Sequence, residues 1–179
     1  MRLRIIICHI LLLCMPGVLS AQKEYVGKTD KLSVHPRILL PKGEEKELKK
    51  QIRKDAIWTD VHMALLEEAD SIIQQPLNEC VIIGWRLLDV SRDNLRRIFI
   101  LSYAYRMTGN VRFAKRAEAE MLQAASFPDW NPQHFLDVGE MTMALAIGYD
   151  WLYDRLAEKS KEIIATAIIE KGLKPSFNT

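Results

Sequence analysis

The sequence predicts an all-α protein made of antiparallel helical hairpins, and two patterns support this prediction. Apolar residues recur at the helical period through most of the chain beyond residue 42. Nearly apolar helices also alternate with amphipathic ones, at a repeat distance of roughly 43 residues from Ser91 to His134. This distance is typical of helical-pair arrays. An open α-solenoid and a closed α/α toroid around a cleft both fit these patterns.

The first 21 residues have the organisation of a secretory signal peptide. A basic start with Arg2 and Arg4 precedes the apolar run Ile5–Leu13, and Leu19–Ala21 offers a cleavage site with small residues. The apolar run is too short to span a bilayer. We therefore expect a secreted or periplasmic protein that has no membrane anchor after cleavage.

Beyond the signal peptide, the chain predicts an extended segment followed by one helical domain. Residues 22–41 are expected to be extended, because Pro36 and Pro41 each disfavour helix in the residue before them. Residues 42–179 carry the helical periodicity and are expected to form the domain. The predicted helices span residues 43–54, 59–74, 91–107, 111–125, 132–153 and 157–171.

The two hairpins after residue 90 each pair a buried inner helix with an amphipathic outer helix. Helix 132–153 is apolar on nearly all sides, and a helix of this kind is expected to be buried. Helix 111–125 places charged residues opposite an apolar stripe, so it is expected at the surface. Segment 77–88 has no clear period, and its apolar run from Cys80 predicts an irregular buried segment or a loop.

Charge and cysteine content exclude several kinds of site. Cleavage would remove Arg2 and Arg4, so Lys+Arg falls from 25 to 23 and equals the 23 Asp+Glu. A neutral chain gives no electrostatic indication of a polyanion partner, and we expect no nucleic-acid partner. Cys80 would be the single remaining cysteine, so no internal disulfide is expected, and a buried inert thiol is favoured over a nucleophile. The sequence has no His/Cys cluster with metal-site spacing and no glycine-rich phosphate loop, so neither metal nor cofactor is predicted.

The stretch FPDWNPQHFLDVGEM, residues 127–141, concentrates the residues that could carry chemistry. Asn131 is predicted to cap the following helix, with Pro132 at its first position. His134 then falls in the first helical turn, where Asp137 three residues later could orient its ring. The candidate substrate-binding residues are Trp130, Asn131, His134, Asp137 and Glu140, and His134 is the one candidate for a catalytic group.

Each candidate also has a structural interpretation, and the sequence leaves both open. His134 could be a capping and packing residue that bonds to Asp137. Trp130 could stack on a sugar or pack against the start of the helix. Glu140, an acid on an apolar helix, could face a cleft or pair with Arg92, Arg96 or Arg97. Asp150 raises the same alternatives, whereas His35 and His62 are expected to be structural or surface groups.

The chain resembles the heparinase II/III-like superfamily of polysaccharide lyases, in the N-terminal half of their α/α toroid. Three segments carry this resemblance: LLDVSRDNLRRIFILSYAYRMTGN, FPDWNPQHFLDVGEMTMALAIGYDWLYDRL and IIEKGLKPSF. The early HPRILL is also similar to the start of the mature region in such enzymes. The resemblance covers the chain from about Leu32 onwards, and its long middle segment is specific.

The resemblance implies β-elimination on uronate-containing glycans of the heparin, heparan sulfate or alginate type, by an enzyme in the periplasm or outside the cell. It implies a toroid followed by a β-sandwich domain. The neutralising Asn or His and the Tyr/His proton-transfer pair of the family come largely from later toroid helices and that second domain. We therefore expect an incomplete toroid, an anionic polysaccharide as substrate, and no activity of this chain alone.

Two functions of other classes compete with the lyase fragment. The chain could be a helical-repeat module that binds a glycan or a protein without chemistry. It could also be a truncated gene product without stable activity. Whether the chain is itself an enzyme is thus uncertain from the sequence.

Overall fold

The computed structural model describes residues 34–177, so the predicted signal peptide and most of the extended segment lie outside the described residues. The all-α prediction is confirmed for this part of the chain, where the one β feature is an isolated bridge between Ile83 and Arg86. A π-helical turn, Ile168–Leu173, and a short helix, Lys174–Ser176, follow the last of the longer helices. The longer helices are α1 (Glu45–Lys54), α2 (Ala56–Gln74), α3 (Leu88–Thr108), α4 (Val111–Ser126), α5 (Phe135–Trp151) and α6 (Glu158–Ala167).

Polar caps and one glycine set several of these boundaries. The Asp55 carboxylate accepts hydrogen bonds from the backbone N–H groups of Ile57 at 2.8 Å and Trp58 at 3.3 Å, which starts α2 earlier than the predicted residue 59. Gly109 ends α3 with a left-handed φ of 73°, as its position in the sequence predicts. The Asn110 side chain then caps α4.

Helices α3 and α5 form the centre of the helical unit and pack against each other, α4 packs on both of them, and α6 packs on α4 and α5. Gly148 on α5 lies where these helices approach closely. A Cβ there would lie 2.5 Å from Met121 Sδ on α4 and 2.6 Å from Ile98 Cγ2 on α3. The fully buried core residues include Ile98, Leu101, Met121, Met141, Leu145 and Ile164.

The packing corrects one expectation for α5. Helix α5 is not buried on all sides, because Leu136 is 53% exposed and Met143 is 50% exposed. One apolar face of α5 packs on α3. The face with Leu136 and Met143 is exposed to solvent within the described residues. The chain also stays helical to Ser176, beyond residue 171, where the last helix was predicted to end.

The segment that contains HPRILL is docked on the C-terminal end of α5. Asp150 is 4% exposed, and its carboxylate accepts hydrogen bonds from the backbone N–H groups of Arg37 at 2.8 Å and Ile38 at 3.0 Å. Its other oxygen lies 2.6 Å from His35 Nδ1. The Trp151 indole donates to the Ile38 carbonyl at 2.9 Å. Asp150 and His35 thus have the structural role that the sequence allowed, as partners of each other.

Candidate functional site

A tight turn before α3 presents the most exposed tryptophan of the described residues. Ile83 and Arg86 exchange backbone hydrogen bonds of 3.0 and 3.3 Å, and Gly84 has a φ of 63°, which glycine adopts without strain. Trp85 is 82% exposed at the tip of this turn. The apolar run before it is also at the surface, with Ile82 51% exposed, so of the two predicted alternatives for this segment the loop is the one that the structure shows. Residues 83–86 are called the Trp85 turn below.

A buried carboxylate holds the Trp85 turn against the start of α5. Asp137 is fully buried, and its Oδ2 accepts hydrogen bonds from the Leu87 backbone N–H at 2.7 Å and from Asn131 Nδ2 at 2.8 Å. The same Asn131 amide donates to the Trp85 carbonyl at 2.8 Å. The side chains of Asp137 and Asn131, called the Asp137 clamp, therefore tie the helix, the 127–134 connector and the turn together.

The predicted capping role of Asn131 is wrong. Helix α5 begins at Phe135, three residues later than expected, and Asn131 lies outside it with a φ of 57°. Asparagine tolerates this left-handed conformation, and the Asp129 carboxylate accepts a hydrogen bond of 2.7 Å from the Asn131 backbone N–H. The Asn131 amide is used in the clamp, so it does not cap the first turn.

His134 occupies the position before α5 rather than its first turn. Its Nδ1 lies 3.1 Å from Asp137 Oδ1, but the two atoms are not aligned as a hydrogen bond, and neither has another partner among the described residues. The side chain is 28% exposed while Nδ1 itself is buried, so other ring atoms face solvent. The predicted histidine–carboxylate pair is therefore present as a close contact between two buried atoms, with the rest of the imidazole partly exposed.

Two other candidates have structural partners. Trp130 is fully buried and donates its indole N–H to the Ala124 carbonyl at 3.1 Å, so neither face of its ring is open to a sugar. Of the two interpretations that the sequence left open for Trp130, this burial agrees with packing rather than with stacking on a sugar. Glu140 accepts a hydrogen bond from Ser91 Oγ at 2.6 Å and lies 3.1 Å from Arg92 Nε. Its carboxylate thus links α5 to α3.

The arginines around the Trp85 turn and the start of α3, called this edge of the helical unit, differ in how far their charge is neutralised by nearby carboxylates. Arg96 pairs with Glu68 and Asp93, and Arg97 pairs with Asp93 and Glu120. Arg86, on the Trp85 turn, is exposed and forms no ion pair with any described residue. Arg86 is therefore the cation at this edge that an anionic ligand could use.

Two cavities border the Trp85 turn. One, of about 230 Å³, is lined by Trp85, Asp129, Asn131 and Gln133 among others. The second, of about 160 Å³, is lined by Arg86 and Asp89 with three aliphatic residues. The side chains around the first cavity can donate and accept hydrogen bonds, which suits a ligand with many hydroxyl groups.

Cys80 departs from the sequence prediction, because it is exposed rather than buried. Partial desolvation and the nearby Asp129 carboxylate raise the pKa of its thiol. A raised pKa lowers the thiolate fraction at neutral pH, so the thiol is poorly reactive for a physical reason other than burial in a core.

His62 is packed on α3, and its pH response can be predicted. Its Nδ1 lies 2.9 Å from the Tyr103 hydroxyl, and desolvation, with a smaller contribution from Lys49, lowers the pKa of the imidazole below its ordinary value of 6.5. The unfolded chain then binds a proton more readily than the folded chain. We therefore expect the contribution of His62 to lower the free energy of unfolding as the pH falls from 6.5, the ordinary pKa, to the lower pKa of the folded state.

Thermal unfolding of the chain and of His62→Gln, compared across that pH range, measures this effect. Glutamine can accept a hydrogen bond from the Tyr103 hydroxyl, but its side chain does not titrate. The difference in melting temperature between the two proteins should shift in favour of the variant as the pH falls. A difference that is constant with pH would contradict the assignment.

No group of three or more metal-ligating side chains is found among residues 34–177. Over the same residues, every helix is too short or too polar to cross a lipid bilayer.

The chain has no match among protein-family models and none among curated proteins. The resemblance to heparinase II/III-like lyases therefore stays a prediction that depends on the three quoted segments.

Proposed function

We propose that the chain is the helical part of a secreted protein that binds uronate-containing polysaccharides and acts on them by β-elimination. In this proposal the hairpins α3–α4 and α5–α6 form part of an α/α toroid, with α3 and α5 as inner helices. The inner and outer arrangement of these helices and the resemblance of residues 90–177 support the proposal.

One observation carries the chemical part of the proposal: the contact between His134 and Asp137 at the edge of the helical unit. β-Elimination removes a weakly acidic proton next to the uronate carboxylate, so it needs a positioned base and a group that neutralises the developing charge. A half-buried imidazole beside a buried carboxylate is suited to hold or accept a proton. The Asp137 carboxylate lies 3.1 Å from the Nδ1 side of the ring, which leaves the remaining ring atoms for a ligand.

The same edge does not contain all the groups that the reaction requires. Trp130 and Asp137 are buried, and Glu140 is paired with Arg92, so none of the three can also serve as a free proton donor. Among the described residues of this edge, His134 is the single group suited to proton transfer. We therefore propose that this chain binds the glycan and that turnover needs further residues.

Calorimetric titration with oligosaccharides of heparan sulfate, alginate and chondroitin tests the proposal, with a neutral glucan as control. We expect binding to at least one acidic glycan and none to the glucan. His134→Ala should weaken that binding about tenfold, without lowering the melting temperature. The ultraviolet absorbance of an unsaturated uronate should not appear with this chain alone.

The outcomes separate the parts of the proposal. Absence of binding to all three acidic glycans would overturn the glycan function. Robust formation of unsaturated product by the purified chain would show that the proposed need for further residues is wrong. Unchanged affinity with a lowered melting temperature in His134→Ala would assign the histidine a purely structural role.

A protein-binding module is the second candidate, because α2 has an apolar surface. Ile57, Trp58 and Val61 lie one helical turn or less apart and are 74%, 52% and 51% exposed. Exposed apolar patches of this kind mark interaction sites. This function would be favoured if the chain bound no glycan.

A further inference from the structure

Trp85 is a large aromatic side chain left in water by a well-anchored turn. Burying a tryptophan stabilises a fold strongly, and the other two tryptophans outside α2, Trp130 and Trp151, are buried. Trp85 is 82% exposed, although the backbone of its turn is closed by hydrogen bonds between Ile83 and Arg86 and anchored at the Trp85 carbonyl and the Leu87 N–H. The backbone position of Trp85 is therefore fixed, and its ring is left exposed without a packing benefit to the fold.

The clamp that fixes the turn is itself costly. A buried carboxylate loses its hydration, and it is tolerated because it receives hydrogen bonds. Asp137 receives two, and one of them comes from the Leu87 N–H that directly follows the Trp85 turn. The clamp thus defines the geometry of the turn that presents the Trp85 ring.

The surroundings of the indole suit one sugar unit. The adjoining cavity of about 230 Å³ is smaller than the roughly 300–1,000 Å³ of pockets for drug-sized ligands. Asp129, Asn131 and Gln133 line it and can bond hydroxyl groups. An aromatic face beside such groups is the arrangement that binds the apolar face and the hydroxyl edge of a pyranose ring.

The charges around the turn indicate where an acidic group of the glycan would lie. Asp129 would repel a carboxylate in the first cavity, so hydroxyl groups are expected there. Arg86 and Asp89 both line the second cavity, and Arg86 has no ion-pair partner among residues 34–177. The Arg86 guanidinium can offset the Asp89 charge and bind a carboxylate with two hydrogen bonds, so a uronate carboxylate is expected against Arg86 rather than against Asp129.

We propose that the Trp85 turn is a carbohydrate subsite in which Trp85 stacks on one sugar ring and Arg86 binds the carboxylate of a neighbouring uronate. Asp137 and Asn131 are positioning residues that hold the turn. The identity of the ligand as a uronate glycan rests on the proposed function, whereas the location of the subsite rests on the exposure, the clamp and the cavities.

Calorimetric titration of three variants with the acidic oligosaccharide that binds most tightly tests the subsite. Trp85→Ala should weaken binding tenfold or more, and Arg86→Gln should weaken it less and reduce its dependence on salt. Trp58→Ala, which removes the other exposed tryptophan, should leave binding unchanged. All three variants should unfold at nearly the wild-type temperature, because the substituted side chains are exposed.

The results distinguish failure of the subsite from failure of the proposed function. If the wild-type chain binds acidic oligosaccharides and Trp85→Ala binds them equally well, the subsite is overturned while glycan binding stands. If the wild-type chain binds none of them, the proposed function fails, and the uronate subsite fails with it. A loss of binding in Trp58→Ala in place of Trp85→Ala would move the site to α2.

Discussion

Replacing Trp130 with alanine is expected to lower the free energy of unfolding by about 3–5 kcal/mol, which is the range for removing a large aromatic side chain from a core. Trp130 is fully buried, and its indole N–H is bonded to the Ala124 carbonyl at the end of α4. The substitution would leave a cavity between the connector and the helices, and the Ala124 carbonyl would keep only its 3.4 Å hydrogen bond from the Phe127 N–H. Urea unfolding followed by far-ultraviolet circular dichroism measures the change.

Trp85→Ala is the matched control for this substitution. It removes the same side chain from a position that is 82% exposed. Surface substitutions of this kind usually change stability by less than about 0.5 kcal/mol. Similar losses of stability in both variants would contradict the assignment of Trp130 to the core and Trp85 to the surface.

Replacing Asp137 with alanine is the second substitution with a large expected effect. It would leave the Leu87 N–H and the Asn131 amide without their shared acceptor, and each unsatisfied buried group costs about 1–3 kcal/mol. We therefore expect a loss of roughly 2–5 kcal/mol in urea unfolding. Glycan binding should also weaken, because the Trp85 turn would lose one of its two anchors.

Asp137→Asn is expected to retain most of the stability. Both donors bond to one carboxylate oxygen, so the amide oxygen of asparagine can replace it. The new amide nitrogen would then face His134 Nδ1, an atom without an aligned partner among the described residues. A loss as large as that of the alanine variant would show that the charge of Asp137, rather than its acceptor geometry, holds the clamp.

The helical periodicity was sufficient to predict the fold class and most helices. Apolar spacing follows directly from the 3.6-residue turn of the helix. Helices α3 and α4 therefore lie within three residues of their predicted bounds, and Gly109 separates them as expected. The start of α5 was placed too early, because the sequence Asn131–Pro132 has the pattern of a cap and a first helical position.

The candidate site was harder to predict, because burial of a single side chain depends on tertiary contacts. The sequence presents Trp130 and Trp85 alike, each in a connector that follows a helix. Only the packing of the connector against α4 shows that Trp130 is in the core and Trp85 is not. For the segment around Trp85 the sequence allowed both a buried segment and a loop, and its apolar run could not decide between them.

Asp137 and Asn131 make contacts with the Trp85 turn that the sequence did not predict. Spacing placed Asp137 near His134, and the structure brings these two side chains to 3.1 Å. The bonds from Asp137 to Leu87 and from Asn131 to Trp85 join residues about 50 positions apart. Helical periodicity contains no information about such contacts.

The central claim is that a uronate glycan binds at the Trp85 turn, and the indole N–H resonances in a nitrogen-15 NMR titration test it directly. The chain has four tryptophans, so each can be assigned by substitution. Trp130 and Trp151 donate their indole N–H groups to backbone carbonyls in the core, and Trp58 is exposed on α2. Addition of an acidic oligosaccharide should shift the Trp85 resonance and leave the other three in place. A shift of Trp58 alone, or no shift of Trp85 at saturating oligosaccharide, would contradict the claim.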